Sequence, residues 1–360
     1  ETSYKMDIQT VGFPNQNKVI SIMQYKSYSR ISFFVLFLIS FAGCEIKREA
    51  LGADNEIRVI CSEIDKPIIR EYLSAIFTDT VYTPQPEPYY HLKFSKPDAY
   101  NSLRAQSKVV VAAVNRDPGN PGYQLMKRLL TKSQFEETEN NDPILIARDM
   151  NAKNQLFMIV NGQSEEHVMG TAQSKRNRIR KHFFDLFNER QKRFLFSETR
   201  NKKLEESIQE THGWRIKIPW GWKMLRNSPD SNFVWIGREM PFQWVSINWH
   251  EGNLVDDELS VGDFIWSWPS TYYGFVQFNH YKFKLNHVKF RNHNAWLAEG
   301  IWETIDLKES KGGPFSSYLF YDNKNDRTYH LNFLVHSPGN DKSIYMRQMK
   351  MIVKTFSAHQ

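Results

Sequence analysis

Cysteine is scarce in this chain: only Cys44 and Cys61 occur among its 360 residues. If Cys44 is modified, Cys61 has no disulfide partner within the chain, and a thiolate metal cage, which needs several cysteines, is excluded. The setting of the second cysteine, Val59-Ile60-Cys61, is typical of a buried strand. A redox or catalytic thiol is the less common alternative.

The sequence also lacks the short motifs of common catalytic mechanisms. It contains no G-x-S-x-G elbow, no G-x-x-x-x-G-K-[ST] phosphate loop, no G-x-G-x-x-G turn and no H-E-x-x-H pair. His280 and His287 are an odd number of residues apart, which places them on opposite faces of a regular strand. His250-Glu251 could act as an acid–base pair, although a polar pair at a strand end is commoner. The sequence therefore predicts no cofactor, no metal ion and no catalytic residue.

Long apolar runs are missing as well. The most apolar stretch, Ile31 to Phe41, is much shorter than the roughly 20 residues that a membrane-spanning helix needs. Lys26 and Arg30 precede it, and Ala42-Gly43-Cys44 follows it. These are the charged, apolar and cleavage regions of a secretory signal peptide. A short membrane anchor or a buried core helix is the alternative.

The residues before Cys44 indicate which kind of signal this is. Phe41-Ala42-Gly43-Cys44 resembles the lipobox of bacterial lipoproteins, except that the family prefers Leu at the position of Phe41. The resemblance implies cleavage before Cys44 and acylation of its thiol. Because each buried methylene contributes about 0.8 kcal/mol, two or three acyl chains hold a protein stably at a membrane. With Met23 as the expected start, residues 23–43 are the predicted signal peptide and residues 1–22 an upstream extension.

The part of the chain after the signal has the composition of a folded protein. The whole sequence is 41% hydrophobic and 24% charged, and it is long enough for two domains. Residues 44–55 are predicted to form a tether, and residues 56–163 an α/β domain. In that domain Lys108–Val114 is a near-continuous apolar run typical of a central strand. The turn-forming cluster Asp117–Gly122 follows it, and then a predicted helix over Gly122–Lys132.

Residues 164–212 are predicted to be a helical connector. Within it, residues 164–196 have the pattern of one long helix, whose apolar stripe lies opposite a very basic face. The residues expected to contact an anionic surface are Arg176, Arg178, Arg180 and Lys181. The commoner alternative is that the stripe packs against the core and the cations are simply solvated.

All ten tryptophans lie between Trp214 and Trp302, where the composition and the spacing of apolar residues change. Apolar residues alternate there with period two, and Val245, Ile247 and Trp249 are expected to share one face of a strand. Residues 213–360 are therefore predicted to be a Trp-rich antiparallel domain. The fold class as a whole is α+β: an N-terminal α/β layer, a long basic amphipathic helix, and an antiparallel sheet backed by helices.

The density of tryptophan suggests a binding surface. Four tryptophans fall at predicted turns or helix ends, where some should be exposed: Trp220, Trp222, Trp266 and Trp268. Tryptophan faces bind sugar rings and anchor protein interfaces, so a glycan or a protein is the expected ligand. The alternative is that these side chains fill the core between the sheet and its helices.

Two segments carry a resemblance to a known family. Tyr82–Pro88, with its Pro-Gln-Pro-Glu-Pro core before Tyr89-Tyr90, and Gly313-Pro314-Phe315-Ser316-Ser317-Tyr318 resemble an uncharacterised lipoprotein family of the Bacteroidetes. That family is a domain of unknown function, numbered four-eight-three-seven. The resemblance extends over residues 56–357 and implies an envelope location and a lipid anchor, but no activity. More weakly, Trp214–Trp222 is similar to the opening strand and turn of folds like the photosystem extrinsic subunit PsbP, which are antiparallel sheets covered by helices.

Charge and the residues after Cys44 predict where the anchor faces. Residues 1–43 carry +2 of the net charge of +7, which leaves a mildly basic +5 for the rest. Lipoproteins that the Bacteroidetes export to the cell surface resemble one another in an acidic run after the cysteine. Here the corresponding segment, Glu45–Glu49, is mixed in sign. We expect an anchor in the outer membrane that faces the periplasm. The expected partners are the membrane and an envelope protein or glycan, and not nucleic acid.

These features predict a lipid-anchored envelope protein with a non-enzymatic binding or scaffolding role. The alternative is an envelope hydrolase that acts on glycan or peptide, and a third interpretation is an inert subunit of a larger complex. A concave, aromatic-lined site with converging carboxylates or a His–carboxylate pair would favour the enzyme. A flat aromatic patch beside the basic helix would favour binding.

Overall fold

The computed structural model describes residues 47–83, 85–255, 257–306, 308 and 311–358. The predicted extension 1–22, the signal peptide 23–43 and the lipidation residue Cys44 lie outside the described residues. From Glu49 onward the chain forms one compact unit. No helix within the described part of the chain combines the length and the apolarity that are needed to cross a membrane.

The N-terminal layer alternates strands and helices, as the sequence predicts. Its elements are β1 (Glu56–Ile60), α1 (Lys66–Ile76), β2 (Thr80–Val81), β3 (Glu87–Pro88), β4 (His91–Ser95), α2 (Tyr100–Leu103), β5 (Lys108–Ala113), α3 (Pro121–Leu129), α4 (Lys132–Asn140), β6 (Ile144–Arg148) and β7 (Leu156–Asn161). Five strands form one sheet in the order β4-β1-β5-β7-β6. The first four of these are parallel to their neighbours, and β6 pairs antiparallel with β7.

Helices cover both faces of this sheet, so its central strands are buried on both sides. All six residues of β5 are buried, which explains the continuous apolar run in the sequence. Helix α1 packs against one face through Ile69, Leu73 and Ile76. Helix α3 packs against the opposite face through Leu125 and Met126. A doubly covered parallel sheet is the α/β layer that the sequence predicts.

The predicted long helix over residues 164–196 is wrong, because the structure has two helices there. Helix α5 (Glu165–Ser174) ends at Lys175, which leaves helical geometry, and α6 (Arg176–Leu195) begins at the next residue. Both helices pack on the same face of the sheet, α5 through Val168 and α6 through Ile179 and others. A third helix, α7 (Lys202–His212), completes the connector.

The C-terminal part is a seven-stranded antiparallel sheet with one helix after its third strand and one at the end. Its elements are β8 (Lys223–Ser228), β9 (Phe233–Glu239), β10 (Phe242–Glu251), α8 (Glu258–Tyr272), β11 (Val276–Phe290), β12 (His293–Thr304), β13 (Gly312–Asp322), β14 (Arg327–His336) and α9 (Ser343–Val353). The strand order is β11-β12-β13-β14-β10-β9-β8. Helix α8 packs on one face, and α9 packs on the other together with Val245, Ile247 and Trp249, which share that face as predicted. The α+β class is therefore confirmed.

The two sheets are joined through polar contacts as well as apolar ones. A chain of hydrogen bonds runs from Asp54 to Gln191 on α6, then to Gln348 on α9 and Gln243 on β10. At the start of α9, the Oδ2 atom of Asp341 lies 2.7 Å from Nε2 of His91. Residues 49–55, which the sequence predicts to be part of a tether, belong to this unit, because Ala50 and Leu51 donate main-chain hydrogen bonds to Lys153 and Ala105.

Candidate functional site

The predicted tryptophan surface does not form. Trp222 and Trp268 are only 3% and 2% exposed, and they belong to the cores on opposite faces of the antiparallel sheet. Trp266 is half-buried against the rings of His280 and Phe283. Trp220 is 75% exposed. The expectation that these four side chains share one surface is therefore wrong, because most of their area serves packing.

Most of the predicted anionic-surface contacts already have partners within the chain. Arg176 donates to the hydroxyl of Thr78, and Arg180 pairs with the carboxylate of Asp79. Lys181 pairs with the Asp185 carboxylate one turn along the same helix, at 2.6 Å. Arg178 is exposed, and no ion pair involves it in the described part of the chain. This end of α6 is thus occupied largely by structural contacts.

Two histidines, His250 and His330, lie close together on neighbouring strands of the antiparallel sheet. Nε2 of His250 lies 2.8 Å from the side-chain oxygen of Asn248, and burial lowers the pKa of His250. His330 is fully buried, and its pKa falls to about 3, first through desolvation and then through the nearby His250. No group of three or more His, Cys, Asp or Glu in the described ranges is arranged to hold a metal ion. Cys61 is also buried, and burial raises the pKa of its thiol to about 12.

The parallel sheet, by contrast, creates a cavity where ligand sites are expected. The chain leaves β1 for α1 on one face of the sheet and leaves β5 for α3 on the opposite face. The connections that follow the neighbouring strands β1 and β5 therefore run in opposite directions, which leaves a crevice between the carboxyl ends of these two strands. In open parallel sheets, ligands bind in the crevice at this topological switch point.

A cavity of about 520 Å³ occupies this position. We call it the switch-point crevice, and it is defined by lining residues from the segments that follow three strands: Ser62, Glu63, Ile64, Lys96, Pro97, Asp98, Asn115, Asp117, Gly119, Asn120 and Pro121. Its volume lies within the range of small-molecule sites in proteins, which is roughly 300–1,000 Å³. Ile64 is 63% exposed and provides an apolar side chain at the crevice, while side-chain amides and carboxylates supply polar groups.

Asp65 holds the two walls of the crevice together. This residue precedes α1 and is 1% exposed. Its Oδ1 atom accepts hydrogen bonds from the main-chain N–H groups of Val114 and Asn115, at 3.0 and 2.7 Å. Its Oδ2 atom accepts from the Ser62 hydroxyl at 2.7 Å and from the Asn120 amide at 3.0 Å. One carboxylate therefore receives four hydrogen bonds and fixes the distance between the loops after β1 and β5.

The Asn120 side chain shapes the second wall. Its Nδ2 atom also donates to the main-chain oxygen of Asn115 at 2.9 Å, and its Oδ1 atom caps α3 by accepting from Gly122 N–H at 2.9 Å. A Cβ atom at Gly122 would lie 3.1 Å from the Asp65 carboxylate, so a side chain there would push against the brace. The loop Asp117–Gly122 is thus the turn cluster noted in the sequence. The crevice residues were not identified from the sequence; the position of this turn cluster after a buried strand is the signal that could have found them.

Comparisons with known proteins add similarities of fold and one family match. No curated protein is significantly similar to this chain. Among solved structures, it resembles the Ran-binding protein Mog1p of Saccharomyces cerevisiae, at 12% identity and a TM-score of 0.30, over 41% of this chain and 92% of that one. It also resembles Mycobacterium tuberculosis LpqN, described as involved in cell envelope biogenesis, at 10% identity and a TM-score of 0.26, over 40% and 82%. A Bacteroides thetaiotaomicron protein matches at 11% identity and 0.26, over 41% and 45%.

The family match concerns the C-terminal part, from the end of α8 to the end of α9. Residues 270–355 match the family described as a domain of unknown function, DUF4837, which confirms the resemblance to that family. The match includes Gly313–Tyr318, whereas Tyr82–Pro88 lies outside it.

Proposed function

We propose that this protein is a lipid-anchored binding protein of the cell envelope and that its ligand occupies the switch-point crevice. The observation that carries the binding role is the cavity itself: about 520 Å³ at the carboxyl ends of β1 and β5, braced by the four hydrogen bonds of Asp65. A buried brace of this kind preorganises a site, so that little conformational entropy is lost when a ligand binds.

The chemistry of the crevice suits a small organic molecule. Ile64 and Pro97 offer apolar contact, and Asn115 offers hydrogen-bonding groups at the rim. The lining has no histidine, and its carboxylates, among them Asp117, lie on exposed loops. These groups support recognition, which is why the proposal names binding and not hydrolysis.

The lipid anchor rests on the lipobox at Cys44, and it would place one part of the fold close to the membrane. The compact unit begins at Glu49, five residues after Cys44. Five extended residues span at most about 18 Å. The Glu49 carboxylate accepts hydrogen bonds from Asn154 at 2.8 and 2.9 Å, which fixes the entry point of the chain on the folded unit.

The surface around this entry point suits a membrane with anionic lipids. Arg193, in the last turn of α6, lies 3.8 Å from Glu49, and Lys153 is exposed beside it. Phe194 and Leu51 are large apolar side chains that are 66% and 62% exposed. Cations and isolated apolar side chains near a tether are what a headgroup layer attracts. We propose that this surface faces the membrane, at the opposite end of α6 from the cations that the sequence singled out.

The crevice is tested by ligand-observed NMR with a library of small organic fragments. The sample is a soluble form that begins at Glu45, which retains the whole compact unit. We expect a group of fragments to bind the wild-type protein and to lose at least about tenfold in affinity in Ile64→Glu, because a charge would replace the apolar contact at the crevice. Leu51→Glu is the matched control, since Leu51 is 62% exposed, against 63% for Ile64, and lies outside the crevice. Fragments that bind Ile64→Glu and wild type equally well would contradict the proposal.

A further inference from the structure

A second cavity lies between the two sheets. It measures about 420 Å³, and we call it the junction cleft. Its lining residues come from β2 and the chain between β2 and β4, from β11 to β14 and from α9: Thr80, Val81, Tyr82, Pro86, Tyr89, Lys284, Glu299, Phe315, Ser316, Phe333, Met346, Arg347 and Lys350. The two segments that carry the family resemblance, which are far apart in the sequence, therefore meet at this cleft.

A buried guanidinium forms one wall of the cleft. Arg347 is only 7% exposed, and it lies against the ring of Phe187, with its Cζ atom 3.2 Å from the ring centroid. Two of its five N–H donors are used, on the main-chain oxygen of Tyr89 at 3.1 Å and on the hydroxyl of Tyr90 at 3.3 Å. No carboxylate of the described residues pairs with it within 4.0 Å. A buried cation without a counter-ion is costly, and an anion that binds beside it would remove much of that cost.

Two lysines add to the positive charge. Lys350 lies one turn after Arg347 on α9, and Lys284 lies over the ring of Tyr82, with Nζ 4.4 Å from the centroid. Neither lysine has an ion-pair partner in the part of the chain that the structure describes. The lining contains one carboxylate, Glu299, which is opposite Lys284 in the strand register. Three cations against one carboxylate leave a net positive cleft.

A hydroxyl group lies in the same lining. Ser316, on β13, is 5% exposed and contributes to the wall of the cleft. A serine hydroxyl can donate one hydrogen bond to a ligand oxygen. An oxyanion would accept that hydrogen bond and would also supply the counter-charge for Arg347.

We propose that the junction cleft binds a small molecule through a carboxylate or phosphate group, held by Arg347, Lys350 and the Ser316 hydroxyl. Such oxyanions accept short, charge-assisted hydrogen bonds from guanidinium and ammonium groups. Lys284 also lines the cleft and adds a third cation to the site. This site is separate from the switch-point crevice, and the two share no lining residue.

Isothermal titration calorimetry of the soluble form tests this site with four probes. Inorganic phosphate, glucose 6-phosphate and glucuronate carry the anion, and glucose is the neutral control. We expect at least one anion to bind, with an affinity that falls as salt is added, and glucose to bind far more weakly. Binding of glucose 6-phosphate but not glucuronate would assign the site to phosphate, and the reverse would assign it to carboxylate.

Variants decide whether binding occurs in the cleft. Lys350→Met and Ser316→Ala should each weaken binding of the anion by about tenfold, since each removes a hydrogen bond to a charged group. Lys354→Met is the control, because it removes the same charge from the end of α9 at a position outside the cleft. If Arg347→Met does not fold, Ser316→Ala still tests the site, since it removes a single oxygen atom from the cleft lining. Equal weakening by Lys350→Met and Lys354→Met, equal binding of glucose and glucose 6-phosphate, or no binding of any anion would overturn the proposal.

Discussion

The Nζ atom of Lys108 donates a hydrogen bond to the main-chain oxygen of Asp54 at 2.7 Å, inside the joint between the two sheets. Lys108 belongs to the central strand β5 and is 1% exposed. Burial lowers its pKa to about 7, although the nearby Asp54 opposes this shift. Asp54 in turn accepts from Arg190 and Gln191, at 2.5 Å each. A titratable cation is thus part of the contact that holds the N-terminal segment and α6 to the parallel sheet.

Lys108→Met should remove a pH dependence of stability. In the wild type the unfolded chain binds a proton on Lys108 between pH 7 and its ordinary pKa near 10.5, where the folded chain does not. The free energy of unfolding therefore rises with pH in that window, by up to about 1.4 kcal/mol per pH unit, and falls as pH drops towards 7. Urea unfolding at pH 7, 8.5 and 10 measures this slope. Lys132→Met, at a side chain that is 92% exposed, should keep it. Parallel pH profiles for Lys108→Met and the wild type would refute the assignment.

His330 should make the protein sensitive to acid. Its folded pKa of about 3 lies below the ordinary value of 6.5, so the unfolded chain binds the extra proton between these values. Stability is then fully present above pH 6.5 and is lost progressively as pH falls towards 3. His330→Phe preserves a ring beside Trp268 and should flatten this part of the profile between pH 6.5 and 4.5. The exposed His287 is the control position, and a His330→Phe profile as steep as that of His287→Phe would count against this account.

Asp65→Asn should destabilise the protein by about 2–3 kcal/mol. The amide turns one of the two accepting oxygens into a donor, which then faces N–H or O–H groups that also donate. Asp117→Asn is the matched control, because Asp117 is exposed on the same crevice and its Oδ1 atom accepts from Gly119 N–H, which an amide oxygen can also do. Chemical denaturation compares the two variants. A similar, small loss in both would mean that Asp65 does not brace the loops.

The surface around Glu49 should contribute to membrane binding. For the soluble form, the double variant Arg193→Glu with Phe194→Ser should bind vesicles of 30% phosphatidylglycerol at least about fivefold more weakly, since each basic residue near an anionic surface contributes about 1 kcal/mol. Arg178→Glu is the control, because Arg178 is a cation of the same helix that lies fifteen residues before Arg193, about 22 Å along the helix axis. Co-sedimentation with vesicles measures both. Arg178→Glu with the larger loss would show that the predicted end of the helix, and not this surface, contacts the membrane.

Local patterns in the sequence predict much of this fold. The apolar run of β5 identifies a central strand because helices cover both faces of the sheet, and the alternation of Val245, Ile247 and Trp249 identifies one face of β10. The break at Lys175 was not predicted, since residues 164–196 contain no proline that would mark it. Helix α4 was missed because Thr138 is its only buried residue, although Thr131 and Gln134 form a capping box that marks its start.

The sites depend on contacts between distant residues, which local patterns do not contain. Trp220 and Trp222 flank Gly221, whose positive φ of 78° turns the chain, so one ring is exposed and the other is buried. The neighbouring sequence does not indicate which of the two tryptophan rings is exposed. The crevice requires Asp65 and Asn120 to meet across 55 residues, and the junction cleft requires Tyr89 and Arg347 to meet across 258. The turn cluster and the two family segments lie at these places, but no site was assigned to any of them from the sequence.

The lipid anchor at Cys44 is the central claim, and labelling cells with an alkyne analogue of palmitate tests it most directly. Wild type and Cys61→Ala should both carry the label, since Cys61 is buried and lies outside the lipobox. Cys44→Ala should carry none and should keep the larger mass of the uncleaved signal peptide. Equal labelling and equal processing of Cys44→Ala and wild type would contradict the account.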